Sequence, residues 1–121
     1  MEVNTGYKLM GGNADLCRAL LPSRPVRFDF SDLRRFASIV ERIVDKATIF
    51  PDEDVDPICF GDLIGTRLTD MRFKPDRDYV VIAGDSLIAT AVSMIIGRHY
   101  NGVTFLRWDN QMRGYWPCRI Y

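Results

Sequence analysis

The chain has 121 residues, of which 47% are apolar, and its 16 basic and 16 acidic side chains cancel. This length predicts one domain, and the apolar content is sufficient for a core, so intrinsic disorder is not expected. Zero net charge argues against non-specific nucleic-acid binding, which requires a clustered basic surface. No apolar run is long enough to span a membrane, and the N-terminal residues lack the pattern of a signal peptide. We therefore expect a cytoplasmic protein that does not bind membranes.

The chain shows no pattern typical of a metal or disulfide site. Its three cysteines, Cys17, Cys59 and Cys118, lack CxxC spacing, so reduced thiols are favoured over zinc ligands or disulfides. The acidic segment 52–57 offers oxygen ligands of the kind that Ca²⁺ and Mg²⁺ bind, but it lacks the glycine and glutamate of an EF-hand loop. A solvated loop is the better interpretation. We expect no metal and no cofactor.

The N-terminal part predicts one strand and one long helix. Residues 1–25 are interpreted either as an arm laid on a neighbouring molecule or as containing a short helix over Ala14–Leu21. Val26–Phe30 alternates apolar and polar residues, which is typical of a half-buried strand. Ser31 is a good helix cap, and the spacing that follows predicts an amphipathic helix over Asp32–Lys46. The apolar stripe of this helix consists of Leu33, Phe36, Ala37, Val40, Ile43, Val44 and Ala47.

The middle of the chain predicts a weaker helix over Ile58–Met71. Its apolar spacing is helical, but Gly61 and Gly65 each cost about 1 kcal/mol there relative to alanine. A turn at 74–76 then leads into the next strand.

Residues 79–121 predict the core of the fold, a β-α-β-β unit. Tyr79–Ala83 and Val103–Trp108 are apolar strands that flank a nearly all-apolar helix over Leu87–Ile96. Tyr115–Ile120 is expected to fold back on the second strand as a hairpin. The sequence therefore predicts a small single-domain α/β fold with a mixed sheet and two main helices.

A helix without a polar face is buried, either inside its domain or at a subunit interface. Because this domain is small, we expect self-association into a homo-oligomer. The last strand contains Pro117, so it should lie at a sheet edge, where its aromatic residues could meet a partner strand or a second copy. The predicted interface residues are Met94, Ile95, Tyr115 and Trp116.

The segment Gly84-Asp85-Ser86-Leu87, directly after an apolar strand, resembles the first sequence block of the GDSL (SGNH) hydrolases. That resemblance implies that Ser86 is the nucleophile of an esterase. However, the family's Asp-x-x-His block is absent, and the only histidine is His99. On a continuous helix these two residues would lie roughly 20 Å apart, whereas a general base must come within about 3 Å. The alternative interpretation is a tight turn at Gly84 and a helix cap at Asp85 or Ser86.

Two carboxylates are predicted to share one edge of the sheet. Asp85 and Asp109 each follow a strand of the βαβ unit, and ligands of open α/β sheets bind beyond such strand ends. They could hold Mg²⁺ or act as an acid–base pair near a small anionic ligand, with Ser86, Arg107 and Trp108 completing the site. The alternative interpretation is that Asp85 caps the helix and Asp109 opens the hairpin loop.

The pattern FKPDRDYVVIAGD, a buried helix and then LRWDNQMRGYWP resembles small uncharacterised proteins encoded by tailed phages. The resemblance begins at Phe73 and implies an accessory role in the cytoplasm of a bacterial host. Our leading hypothesis is a non-catalytic, self-associating binding protein, in this case a phage factor that engages a host protein. The second is a binder or cleaver of a small phosphorylated ligand, such as a nucleotide signal, at Asp85 and Asp109. The third is a Ser86 esterase.

Overall fold

The computed structural model describes residues 6–8, 17–23, 31–45 and 60–121. The predicted strand Val26–Phe30 and the acidic segment 52–57 lie outside these ranges. The described elements, in chain order, are β1 (Gly6–Lys8), β2 (Arg18–Leu21), a 3-10 helix (Ser31–Arg35), β3 (Ile39–Arg42), α1 (Phe60–Asp70), β4 (Asp78–Val81), α2 (Ser86–His99), β5 (Val103–Asp109) and β6 (Gly114–Ile120).

The strands form one six-stranded mixed sheet in the order β1-β3-β2-β4-β5-β6. The four central strands are parallel to one another, and the strands at both edges are antiparallel to their neighbours. The predicted small α/β fold with a mixed sheet is therefore confirmed.

The direction of each connection explains which face of the sheet it covers. The chain crosses from β2 to β3 in one direction and then returns through α1 to β4 and through α2 to β5 in the other. Crossovers between parallel strands are almost always right-handed, so connections of opposite direction must lie on opposite faces. Accordingly, the 3-10 helix contributes to one apolar core and the two α-helices contribute to the other.

Successive side chains of the central strands point to opposite faces of the sheet and so contribute alternately to the two cores. In β2, the side chain of Leu20 joins the core beneath the α-helices, whereas Ala19 and Leu21 join the core beneath the 3-10 helix. In β4, Val80 and Val81 divide in the same way. Because both faces are covered here, the successive residues Ala19, Leu20 and Leu21 of β2 and Val80 and Val81 of β4 are all apolar rather than alternating with polar ones.

Two helix predictions in the N-terminal part are wrong. The segment predicted as a helix over Asp32–Lys46 is instead the 3-10 helix followed by β3, which pairs with strands on both sides. The segment predicted as a helix over Ala14–Leu21 contains β2, a central strand of this chain's own sheet. Pairing with distant strands outweighs the local helical spacing, because β-branched residues such as Ile39 and Val40 suit a covered strand.

The predictions for the C-terminal part are confirmed. β4, α2, β5 and β6 match the predicted β-α-β-β unit, with β4 and β5 as parallel neighbours and β6 as an antiparallel edge strand. The weaker helix predicted over Ile58–Met71 is α1. The two α-helices of the described chain are therefore α1 and α2.

A buried ion cluster stabilises the amino-terminal end of the parallel strands. The carboxylate of Asp78 is fully buried and accepts hydrogen bonds from Arg18 at 2.9 and 3.1 Å and from Arg77 at 3.0 and 3.1 Å. The backbone N–H of Lys74 donates to it at 2.8 Å. Burial opposes ionisation of Asp78, but these hydrogen bonds outweigh it, and the pKa of Asp78 lies below its ordinary value.

Candidate functional site

The turn between β4 and α2 is built around Gly84 and Asp85. Gly84 has a φ angle of +87°, a conformation that residues with a side chain rarely adopt. The Asp85 carboxylate accepts hydrogen bonds from the backbone N–H groups of Leu87 at 2.9 Å and Ile88 at 3.1 Å. It therefore caps free donors in the first turn of the helix, where its charge also complements the helix dipole. This is the cap role that was one of the two interpretations of Asp85.

The strand order places the expected ligand crevice of this fold between β2 and β4. The connection that leaves β2 runs to β3, toward one edge of the sheet, whereas the connection that leaves the neighbouring strand β4 runs to β5, toward the opposite edge. Ligands of open α/β sheets bind at the strand ends where the direction reverses in this way. Here the two strand ends are in direct contact. The buried Ser23 accepts a hydrogen bond through Oγ from the N–H of Asp85 at 3.2 Å. A Cβ atom on Gly84 would lie 2.7 Å from the Ser23 carbonyl oxygen, so protein atoms occupy this point of the crevice.

Asp109 has a similar local role at the end of β5. Its carboxylate accepts hydrogen bonds from the backbone N–H groups of Gln111 at 2.8 Å and Met112 at 3.1 Å, and these bonds shape the loop before β6. Because β4 and β5 are parallel neighbours, Asp85 and Asp109 do follow adjacent strand ends. A ligand bound by both carboxylates would have to share them with these backbone donors.

Arg107 and Trp108 do not face the same side of the sheet. They are successive residues of β5, and successive side chains of a strand point to opposite faces. Trp108 packs edge-to-face on Tyr115, with ring centroids 5.2 Å apart, and its Nε1–H donates to Asn110 at 2.9 Å. Arg107 is exposed on the other face, paired in register with Trp116. The predicted ligand residues are therefore not brought together on one surface.

Ser86 and His99 are the first and last residues of α2. Because the helix is continuous, its rise of about 1.5 Å per residue separates them by roughly 20 Å. His99 thus cannot act as general base for Ser86 within one chain. Ser86 is exposed, and its carbonyl oxygen accepts a hydrogen bond from Thr90 at 2.8 Å, as expected for an ordinary residue of a first helical turn.

The succession β4, α2, β5 and β6 is also the part of the chain that resembles small tailed-phage proteins. A family model described as Phage Pam3 gp32-like protein matches residues 21–121. The chain belongs to this family. Comparison with curated proteins and with solved structures finds no match. The family confirms the predicted resemblance and identifies a phage protein, and its description names no activity, ligand or partner.

Neither a membrane span nor a metal cluster is found in the described ranges. No helix within them is both long and apolar enough to cross a membrane. In the same ranges, no three side chains of the types that bind metals (His, Cys, Asp, Glu) are grouped so that they could hold an ion. Cys17 and Cys118 are free thiols.

The side of α2 that faces away from the sheet exposes two large apolar side chains. Ile88, Val92 and Ile96 are buried against the sheet, as expected for the core side of a helix. On the outer side, however, Leu87 is 52% exposed and Met94 is 62% exposed. A surface helix normally carries polar residues there. This outer side is the feature of the described structure that most needs a functional explanation.

The four predicted interface residues fall into two classes. Met94 and Trp116 are exposed, and the exposed fraction of Trp116 is 49%. Ile95 and Tyr115 are buried in the two cores of the same chain. Only the first two are therefore available to a partner of the folded chain.

A cleft between α1 and the C-terminal end of α2 was not predicted from the sequence. It has a volume of about 630 Å³ and is lined by the polar residues Asp62, Asp70, Arg98 and His99 among others. These four side chains are exposed and belong to two helices whose packing no local pattern reveals. The only signal was the pair of glycines in α1, because Gly65 lies next to α2, where a Cβ atom on it would be 3.9 Å from Ile95.

Proposed function

We propose that this phage protein is a non-catalytic interaction protein that associates with itself through α2. The observation that carries the proposal is the pair of large apolar side chains on the outer side of this helix, Leu87 and Met94, which are more than half exposed. Full burial of an exposed side chain of this kind is favourable by about 1.5–3 kcal/mol, and covering the exposed part of Leu87 or Met94 would contribute roughly half of that. An isologous dimer interface buries each residue twice.

The charge balance and the family membership support an accessory role that acts on a protein. The chain carries 16 basic and 16 acidic residues, so it has no excess positive charge with which to hold nucleic acid. Because the chain belongs to a phage family, we infer that the partner, besides a second copy, is a protein of the bacterial host.

A phosphorylated ligand at Asp85 and Asp109 has weaker support. Each carboxylate accepts two hydrogen bonds from backbone N–H groups, which explains its presence without a ligand. A Ser86 esterase would require a histidine from another molecule, because His99 lies at the far end of the same helix.

Sedimentation velocity over the micromolar range tests the proposal. We expect a weight-average mass that rises with concentration toward that of a dimer or higher oligomer. A strict monomer over the whole range would contradict self-association. Labelling of Ser86 by a fluorophosphonate probe would instead support the esterase and contradict a non-catalytic protein.

A further inference from the structure

The outer face of α2 has a regular composition. Leu87, Thr90, Met94 and Gly97 follow one another at helical spacing, and all four are exposed or partly exposed. Two are large and apolar, and the other two are small. We call these four residues the outer face. The side chains of Leu87 and Met94 protrude from this face, whereas Gly97, near the end of the helix, leaves a shallow depression.

Within the described residues of one copy, no contact requires a glycine at position 97. Glycine inside a helix costs about 1 kcal/mol relative to alanine. Apart from the two chain neighbours of Gly97 and the adjacent backbone of α2 itself, no atom of the described residues lies within 4 Å of the place where a Cβ atom on Gly97 would be. Its φ angle is not positive either, unlike those of Gly84 and Gly102. A close approach by another molecule would give a residue without a side chain a role at this position.

We propose that a second copy of the chain docks on this face with its own α2 antiparallel, around a two-fold axis between Thr90 and Met94. The inference rests on the proposed self-association and specifies its surface. In this arrangement Thr90 of each copy lies level with Met94 of the other, and Leu87 lies level with Gly97 of the other. The side chain of Leu87 in each copy thus packs over Gly97 of the other copy, and this contact occurs twice because of the two-fold axis.

Charge complementarity favours the antiparallel orientation over the parallel one. The first turn of α2 begins at Asp85, and the exposed Arg98 lies in its last turn. Antiparallel helices place Arg98 of one copy beside the Asp85 end of the other, and this pairing occurs twice. Parallel helices would place the two Arg98 side chains together. The pairing sets the orientation more than it adds stability, because exposed ion pairs contribute little.

Substitution of Gly97 tests the surface, with sedimentation equilibrium as the readout. Gly97→Leu should raise the dissociation constant of the dimer by about tenfold or more, because its side chain would occupy the space of Leu87 from the other copy. Gly97→Ala should leave association within about threefold of the native chain. Thr69→Leu, which adds a similar side chain to an exposed position of α1, is the matched control and should not weaken association.

Disulfide cross-linking tests the antiparallel register. A mixture of Leu87→Cys and Gly97→Cys chains should form a covalent heterodimer under mild oxidation, whereas each variant alone should not exceed the background of the native thiols. A mixture of Leu87→Cys and Thr69→Cys chains is the control. Circular dichroism of every variant establishes that the fold is retained, and Met94→Lys provides a second disruptive variant if Gly97→Leu does not fold.

The outcomes separate the two proposals. A native chain that stays monomeric contradicts both of them. The other outcome is that the native chain associates, that Gly97→Leu and Met94→Lys leave its dissociation constant unchanged, and that positions 87 and 97 do not cross-link. This outcome would support the proposed function and contradict the proposed interface.

Discussion

The backbone N–H of Tyr115 donates a hydrogen bond to the carboxylate of Asp32 at 2.7 Å, although the two residues are 83 positions apart. The carbonyl oxygen of Tyr115 accepts one from Arg35 at 2.8 Å. The 3-10 helix thereby binds the outward-facing backbone groups at the start of the edge strand β6. Pro117, two residues further on, has no N–H to offer. Addition of a partner strand to this edge, which the sequence had suggested, is therefore disfavoured.

The first prediction concerns this protected edge. Asp32→Ala removes the carboxylate that accepts the hydrogen bond of the Tyr115 N–H and removes the ion pair of Asp32 with Arg35. Because a polar group near the protein interior that loses its partner is costly, we expect the free energy of unfolding to fall by about 1–3 kcal/mol in urea denaturation. We also expect faster aggregation, measured by light scattering, because the edge is opened.

Arg34→Ala is the control for this prediction. Arg34 lies in the same 3-10 helix, but its guanidinium donates to the carbonyl oxygen of Ser31, within the same turn. An exposed substitution of this kind should change stability by no more than about 0.5 kcal/mol. Equal effects of the two variants would show that the bond to Tyr115 contributes nothing.

The apolar residues of the region 33–44 were identified correctly, although their secondary structure was not. Leu33, Ala37, Val40 and Ile43 are all buried, as the amphipathic stripe predicted. The spacing of these residues fits a helix, but it also fits a 3-10 helix followed by a strand covered on both faces. The choice depends on pairing with β1 and β2, and no local pattern encodes that pairing.

The C-terminal unit could be predicted because its strands and helix are contiguous in the sequence. The helix cap at Asp85 and the loop turn at Asp109 depend on hydrogen bonds to neighbours within three residues. The alternative interpretations of these two residues, as a helix cap and a loop residue, were therefore correct. The contact of Ser23 with Gly84 joins strands that are distant in sequence. It could not be predicted while β2 was interpreted as a helix, and the position of the strand-order reversal was missed with it.

The second prediction concerns the buried carboxylate of Asp78. Asp78→Asn removes the buried charge that Arg18 and Arg77 both contact, and among the described residues only Arg18 keeps another anionic partner, Glu41 at 3.3 Å. We therefore expect a loss of about 3–5 kcal/mol at neutral pH. The pKa of Asp78 is lower in the folded chain than the ordinary value of 3.8. Its contribution is therefore complete above about pH 4 and is lost as the pH falls through the lower, folded value. Urea denaturation of both chains from pH 7 downward should show their stabilities converging in this acidic range.

Asp76→Asn is the control for the acid dependence. Asp76 also pairs with an arginine, Arg119, at 3.3 Å, but its side chain is 96% exposed. Exposed ion pairs contribute about 0–1 kcal/mol, so this variant should follow the native pH profile. A constant difference between Asp78→Asn and the native chain at all pH values would contradict the assigned role of the Asp78 charge.

The third prediction uses two glycines with opposite requirements. Gly84→Ala places a Cβ atom 2.7 Å from the backbone of Ser23 at a φ of +87°, so we expect a loss of about 2 kcal/mol or more. Gly97→Ala has free space and an ordinary helical position, so the same change should stabilise a single copy by about 0.5–1 kcal/mol. Thermal unfolding at a concentration below association measures both. Effects of the same sign would contradict the assigned conformations.

The fourth prediction decides whether the edge formed by Asp85 and Asp109 binds a ligand. Asparagine caps helices and turns as well as aspartate does, so Asp85→Asn with Asp109→Asn should keep stability within about 0.5 kcal/mol while removing both charges. By contrast, Asp85→Ala should cost about 1 kcal/mol, because the N–H groups of Leu87 and Ile88 lose their acceptor. Calorimetric titration with Mg²⁺, alone and with inorganic phosphate, then compares the native chain with the double variant. Binding that is present in the native chain and lost in the variant would support the phosphorylated-ligand alternative. Absent binding, or binding that the variant retains, would exclude this edge as the site and leave both carboxylates as caps of the backbone.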